Sequence, residues 1–373
     1  MSVRHLCLVA LVAILSAAWS EAQDAPIPIA SVKGHVGAFQ VTLTERSPLS
    51  KPADVAKRMS LKPAQAADDY NLSKEVFDVY VPKQPGADGK YGLMVAVHFE
   101  YYVKPPIAWP SVLDKYHLVW IGAVNNVDGR EAAYREGLIL DAAYNSQRGW
   151  PIDAARVYLC MCTGSSPTSL AALYYPDVFA GVLHSPEWFW FGKVRDTKTR
   201  GMWALPELPR PAPQLFNLAR THCRFFLADR KEDVDSGHSA DYDILREGYL
   251  ASGFKYAKIV TVPTAKLDHY ANYSPDWFEQ GIQFLDAPLA ELAKQPQVAA
   301  TEPAATTLGA AQPASAVQPS AAKAAGDLSM AKNYIAVQHY DAARTKLQKI
   351  IQTYPDTPEA KQAKDLLQDI QGK

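Results

Sequence analysis

Residues 156–166 read RVYLCMCTGSS. The apolar run RVYLCM stops at Cys162-Thr163-Gly164. An alanine-rich stretch, SLAALYY (169–175), follows after Ser166-Pro167-Thr168. The pattern reads as a buried strand, a sharp turn that carries a hydroxyl, and a helix.

The same alternation extends outward from this stretch. Upstream, YGLMVAVHF (91–99) and HLVWIGAV (117–124) are continuous apolar runs, as strands buried on both faces require. Between them and residue 156, EAAYREGLILDAAYN (131–145) carries apolar residues at helical spacing. Downstream, FAGVLHS (179–185), RFFLAD (224–229) and YAKIVTVP (256–263) are further strands. A helix then begins at SPDWFEQGIQFLD, with Ser274 as its N-cap and Pro275 in its first turn. Strands alternating with helices imply parallel connections and helices on both faces. Residues 91–286 therefore read as an open, doubly wound α/β domain with a mostly parallel sheet. Residues 23–90, with AFQVTL and VFDVYV, add strands at one edge.

Composition sets the limits. The chain has 373 residues, 48% of them hydrophobic, and a formal net charge of -1. A core of ordinary size is affordable, and the charge argues against nucleic acid or an anionic membrane surface as the main partner. Residues 1–22 read as a signal peptide: Arg4 and His5 precede an apolar run from Leu6 to Trp19, and Ser20-Glu21-Ala22 supplies small residues before a cut. The run is short for a bilayer span, so a secreted or periplasmic mature protein without a membrane span is expected. Of the remaining cysteines, Cys160 and Cys162 lie two apart on one strand and cannot easily bond each other. Cys223 either meets one of them across neighbouring strands or all three are buried thiols. No spacing resembles a zinc site, and no metal or organic cofactor is expected.

Residues 287–325 are Ala, Pro, Gln, Thr and Ser with almost no large apolar side chain, which reads as a disordered linker. Residues 326–373 then read as a helical hairpin. Ala331, Tyr334, Tyr340, Ala343, Leu347, Ile350 and Pro355 fall where a tetratricopeptide repeat has them, and residues 358–370 form a capping helix. The segment is either a repeat that docks on a protein partner, on this domain or on another copy, or a generic amphipathic hairpin that tethers.

The order of elements resembles the α/β-hydrolase superfamily, and within it secreted esterases related to polyhydroxyalkanoate depolymerases and feruloyl esterases. The resemblance covers roughly residues 70–286. It rests on YGLMVAVHF as the strand before the oxyanion loop and on Ile152, Asp153, Arg156, Val157 and Tyr158 as the approach to the nucleophile turn. YYPDVFAGVLHS as the next helix end and strand, and DHYANYSPDWFEQGIQFLDAP as the histidine loop and closing helix, complete it. It implies a carboxylic ester hydrolase whose chain order is nucleophile, acid, histidine. Thr163 falls at the nucleophile position and His269 at the base. Asp233 is the first choice of acid, with Asp229, Glu232 and Asp235 as alternatives. The N–H groups of Gly164 and Phe99 fall at the oxyanion hole, and Trp188, Trp190 and Trp203 on a substrate wall suited to an ester or carbohydrate-linked small molecule.

This chain departs from the family pattern at four points. Met161 and Ser165 stand where the nucleophile turn has glycines. Thr163 is β-branched, a poor occupant of a strained turn. Glu100 brings negative charge beside the place where negative charge must develop. Together they imply an esterase of weak or lost activity. The alternative is a non-catalytic binding or scaffolding protein that keeps the pocket and presents the C-terminal helices.

Overall fold

The structure, a computed structural model, describes residues 25–61, 70–98, 103–126, 130–162, 170–185, 209–235, 241–267, 273–292, 324, 328, 331, 335 and 340–371. The chain forms two compact units, Met1–Glu302 and Pro303–Lys373.

The larger unit is built on one sheet. Among the described residues it has nine strands: β1 (Ile27–Pro28), β2 (Gly37–Thr42), β3 (Val76–Val81), β4 (Tyr91–His98), β5 (Leu118–Ala123), β6 (Ile152–Cys162), β7 (Gly181–Ser185), β8 (Arg224–Arg230) and β9 (Ala257–Val262). Their order across the sheet is β1-β2-β3-β5-β4-β6-β7-β8-β9. β3 runs antiparallel to both neighbours, β2 and β5. Every pairing from β5 to β9 is parallel. The strands expected from apolar runs are all present, and the early strands do extend one edge.

Period-two alternation divides β6 between two cores. Val157, Leu159 and Met161 join one cluster, beneath α3 (Ala132–Gly149). Tyr158 and Cys160 join the other, with α2 (Pro110–Tyr116) and α7 (Pro275–Asp286). Over Val157–Met161, β6 is covered on both faces and has no solvent-facing position, which is why that stretch reads as one apolar run rather than as an alternation. α7 starts as expected: Ser274 caps it, its side chain accepting the N–H of Asp276, and Pro275 opens the first turn.

The structure also differs from the sequence reading in five places. β6 begins at Ile152, four residues before the apolar run, and α3 continues to Gly149. A helix not foreseen, α1 (Pro52–Met59), packs over α3. Of SLAALYY, only one helical turn, α4 (Ala171–Tyr174), lies among the described residues. A helical turn, Leu289–Leu292, falls inside the expected linker.

In the smaller unit, α8 (Tyr340–Thr353) and α9 (Pro358–Asp369) follow one another, with Pro355 in the turn between them. Ala324, Leu328 and Ala331 are helical and buried, and share a core with Ala343, Leu347 and Ile350.

Candidate functional site

Six parallel strands, β4 to β9, end on one edge of the sheet, and in open α/β sheets that carboxyl edge is where ligands bind. The last residue of β6, Cys162, pairs in register with His98 of β4 and with Ser185 of β7. β6 therefore ends at this edge, one residue before Thr163 in sequence. Thr163, Gly164, Phe99, His269, Trp188, Trp190, Trp203 and the side chain of Asp233 lie outside the described residues. The residues that flank them define the site's frame.

The described residues on either side of 268–272 are well held. β9 ends at Val262, and a 3-10 turn, Thr264–Lys266, follows. Leu267 and Tyr273 are both buried. The N–H of Ser274 donates to the carbonyl of Lys266 at 3.2 Å. Lys266 Nζ pairs with Asp276 at 2.6 Å. Leu267 and Tyr273, the described residues on either side of 268–272 in sequence, are thus both held in the core. β6 and β9 stand three strand spacings apart, about 14 Å.

The acidic candidates part company after β8. Asp229 is buried near the strand's end, and its Oδ1 accepts the N–H of Arg230 at 2.7 Å. The nearby Tyr242 hydroxyl is pushed up, first by burial and then by the charge of Asp229. β8 then passes directly into α6 (Lys231–Asp235), whose backbone carries Asp233. Glu232 is exposed, and its Oε2 accepts both the N–H and the hydroxyl of Thr264, at 2.7 and 2.6 Å. Those bonds hold its carboxyl below the usual range. Asp235 is exposed and paired with Lys231. Of the three whose side chains are described, only Asp229 is enclosed.

Two polar residues at this edge were read only as parts of an apolar strand. His184, on β7 between Met161 and Leu227 of the neighbouring strands, is fully buried, and neither ring nitrogen has a hydrogen-bond partner among the described residues. Burial alone lowers its pKa to about 3, so the ring is neutral at physiological pH. Ser185, beside Cys162, is buried with its hydroxyl unpartnered. On α3, Glu136 is fully buried and neither carboxylate oxygen has a partner. Desolvation raises its pKa well above the ordinary value, with Arg135 pulling the other way. A histidine closing an apolar run was the one signal for His184; nothing local distinguishes Glu136 from a solvent-facing helix residue.

Cys160 and Cys223 are buried thiols. The Cys223 S–H donates to the carbonyl of Phe179 at 3.3 Å, and burial pushes its pKa to about 12. The cross-strand disulfide through Cys223 does not form. Among the described residues no group of three or more His, Cys, Asp or Glu side chains is placed to hold a metal, and no helix is long and apolar enough to cross a membrane.

No family model and no curated protein matches this chain. Solved structures do resemble it. A thermostable esterase is 15% identical over 58% of this chain and 60% of its own, with a TM-score of 0.39. The acylaminoacyl peptidase of Pyrococcus horikoshii is 11% identical over 59% of this chain and 42% of its own, also at 0.39. Est1E from Butyrivibrio proteoclasticus is 10% identical over 60% of this chain and 98% of its own, at 0.35. The first two matches span less than two thirds of those proteins' lengths. No activity follows from likenesses at this level.

Proposed function

We propose that the mature protein is a secreted or periplasmic member of the ester-hydrolase lineage, its site lying at the carboxyl edge of the sheet. In this reading Thr163 stands in place of the nucleophilic serine, His269 is the base and Asp233 the orienting acid. The N–H groups of Gly164 and Phe99 face the oxyanion, and Trp188, Trp190 and Trp203 wall the pocket. Activity is weak or lost, because Met161, Thr163, Ser165 and Glu100 each work against a strained turn and a developing negative charge. The observation that supports this reading most is that β6, β8 and β9 run parallel, so that the segments following them in sequence, which carry the three candidates, begin at the same edge of the sheet.

The second reading is a non-catalytic binding or scaffolding protein, in which residues 326–373 engage a protein partner in the manner of a tetratricopeptide repeat. The buried alanines Ala331, Ala343, Ala360 and Ala363 favour it, since small residues let helices pack closely.

One assay separates the two. Hydrolysis of a short-chain nitrophenyl ester by the mature chain is measured beside Thr163→Ala and His269→Ala. Turnover abolished in both variants supports the hydrolase; a parent no faster than buffer leaves the scaffold.

A further inference from the structure

A cavity of about 650 Å³ lies where the 3-10 turn Ile29–Ser31, the chain after β2 and the end of α3 meet. Pro151, immediately before β6, also lines it. β6 is 11 residues long, so its start stands about 33 Å from the end where the candidate site lies. We propose that this cavity binds a small carboxylate with an apolar body, the carboxylate meeting Lys33 and Arg148 and the body lying on Ile29, Trp150 and Pro151. The inference is independent of any reading of the carboxyl edge.

The hydrogen bonds already made in the lining decide the charge of the ligand. Asn145 is buried and spent: its Oδ1 accepts the Glu45 N–H at 3.3 Å, and its Nδ2 donates to the Glu45 and Asp141 carbonyls at 2.6 and 2.9 Å. Arg148 is held but not used up. Its guanidinium lies 3.5 Å over the Tyr144 ring, Nη1 and Nη2 each donate once to Tyr144, and Nε pairs with Glu45 at 3.2 Å. Each Nη carries two hydrogens, so an N–H remains on both. Lys33 is exposed and has no hydrogen-bond or ion-pair partner among the described residues. Trp150 is buried in the same lining, and its indole N–H has no partner. The one carboxylate of the lining, Glu45, is already paired with Arg148. What the cavity has left to offer is mainly donors, two of them cationic, and an anion is the group that satisfies them. Arg148 also offsets the partial negative charge at the end of α3. Its guanidinium is fixed before a ligand arrives, which lowers the ordering cost of binding. The apolar side is built by close approach: a Cβ at Gly149 would lie 3.0 Å from Ile29 Cγ1, so the glycine lets the buried Ile29 close in on the helix end. A cavity of this size, with an apolar wall and a few convergent polar groups, suits a small molecule.

The test titrates the mature chain at low salt with benzoate, benzyl alcohol and benzylamine, three probes of similar size and different charge. Affinity is read by calorimetry and position by backbone amide shifts. Benzoate should bind saturably and shift the amides of residues 29–33 and 145–150. The neutral and cationic probes should bind about tenfold more weakly or worse, since they forfeit the charge-assisted bonds. Lys33→Ala should weaken benzoate about fivefold, and Lys33→Glu more, with benzyl alcohol unchanged in both. Lys33 is exposed and unpaired, so neither variant disturbs the fold. No saturable benzoate binding, or shifts confined to other residues, overturns the site. Benzyl alcohol or benzylamine binding as tightly as benzoate overturns the ligand class. Unchanged benzoate affinity in both Lys33 variants overturns the placement of the carboxylate.

Discussion

The hydroxyl of Tyr70 donates to Oδ2 of Asp141, a carboxylate fully enclosed on α3. The other oxygen accepts the Ser47 N–H at 2.6 Å, and Arg46 Nε lies 3.3 Å from Oδ2. These bonds fasten the chain on both sides of α1, Arg46 and Ser47 before it and Tyr70 after it, to α3. Removing one partner of a buried charge network leaves the others desolvated and unpaired. Asp141→Ala should therefore cost about 3–5 kcal/mol in urea unfolding. Tyr70→Phe, which removes one hydroxyl, should cost about 1–3 kcal/mol.

His184 and Glu136 should tilt stability with pH in opposite directions. His184 is held neutral, with a folded pKa of about 3. The unfolded chain therefore binds a proton that the folded chain refuses between roughly pH 6.5 and pH 3. Stability from this site is full above that window and falls by about 1.4 kcal/mol per pH unit within it. Glu136 has the reverse linkage: its raised folded pKa means that folding retains a proton, and stability falls as pH rises above the ordinary carboxylate range. Urea midpoints at pH 5 and pH 8 should show His184→Phe gaining relative stability at the lower pH and Glu136→Gln at the higher. Parallel profiles for parent and variants would refute the assignment.

Gly281 lets α7 lie close on β7. A Cβ there would meet Leu183 Cδ1 at 2.3 Å and Phe226 Cδ1 at 3.1 Å. Gly281→Ala should destabilise by about 1–3 kcal/mol through overpacking. Leu183→Ala in the same chain should return part of that loss, because it removes the obstructing atom. Additive losses in the double variant would show that the close approach is not what the glycine serves.

Much of the fold was legible because burial leaves a local mark. β4 and β5 lie inside the sheet with both faces covered, so YGLMVAVH and LVWIGA carry no interior polar position. The start of α7 was legible because a cap is chemistry between near neighbours, Ser274 and Asp276. α1 was missed because its apolar positions, Val55, Ala56 and Met59, cover only two turns amid lysines and aspartates. α3 carries polar residues that its apolar periodicity did not account for: Arg135, Glu136, Asp141 and Asn145 are all buried. Part of the reason is that the Glu45 to Ser50 segment and Tyr70 lie against its outer side.

For this protein the sequence alone determined which segments are strands, where the closing helix begins, and that a hydroxyl follows the apolar run at Met161-Cys162. Those features depend on side chains and their near neighbours. The placement of β4 between β5 and β6, the burial of Glu136 and Asp141, and the meeting of Glu232 with Thr264 were decided only in the folded chain. Each depends on groups far apart in sequence, and no local pattern of apolar and polar residues records which distant segment will cover or bond another.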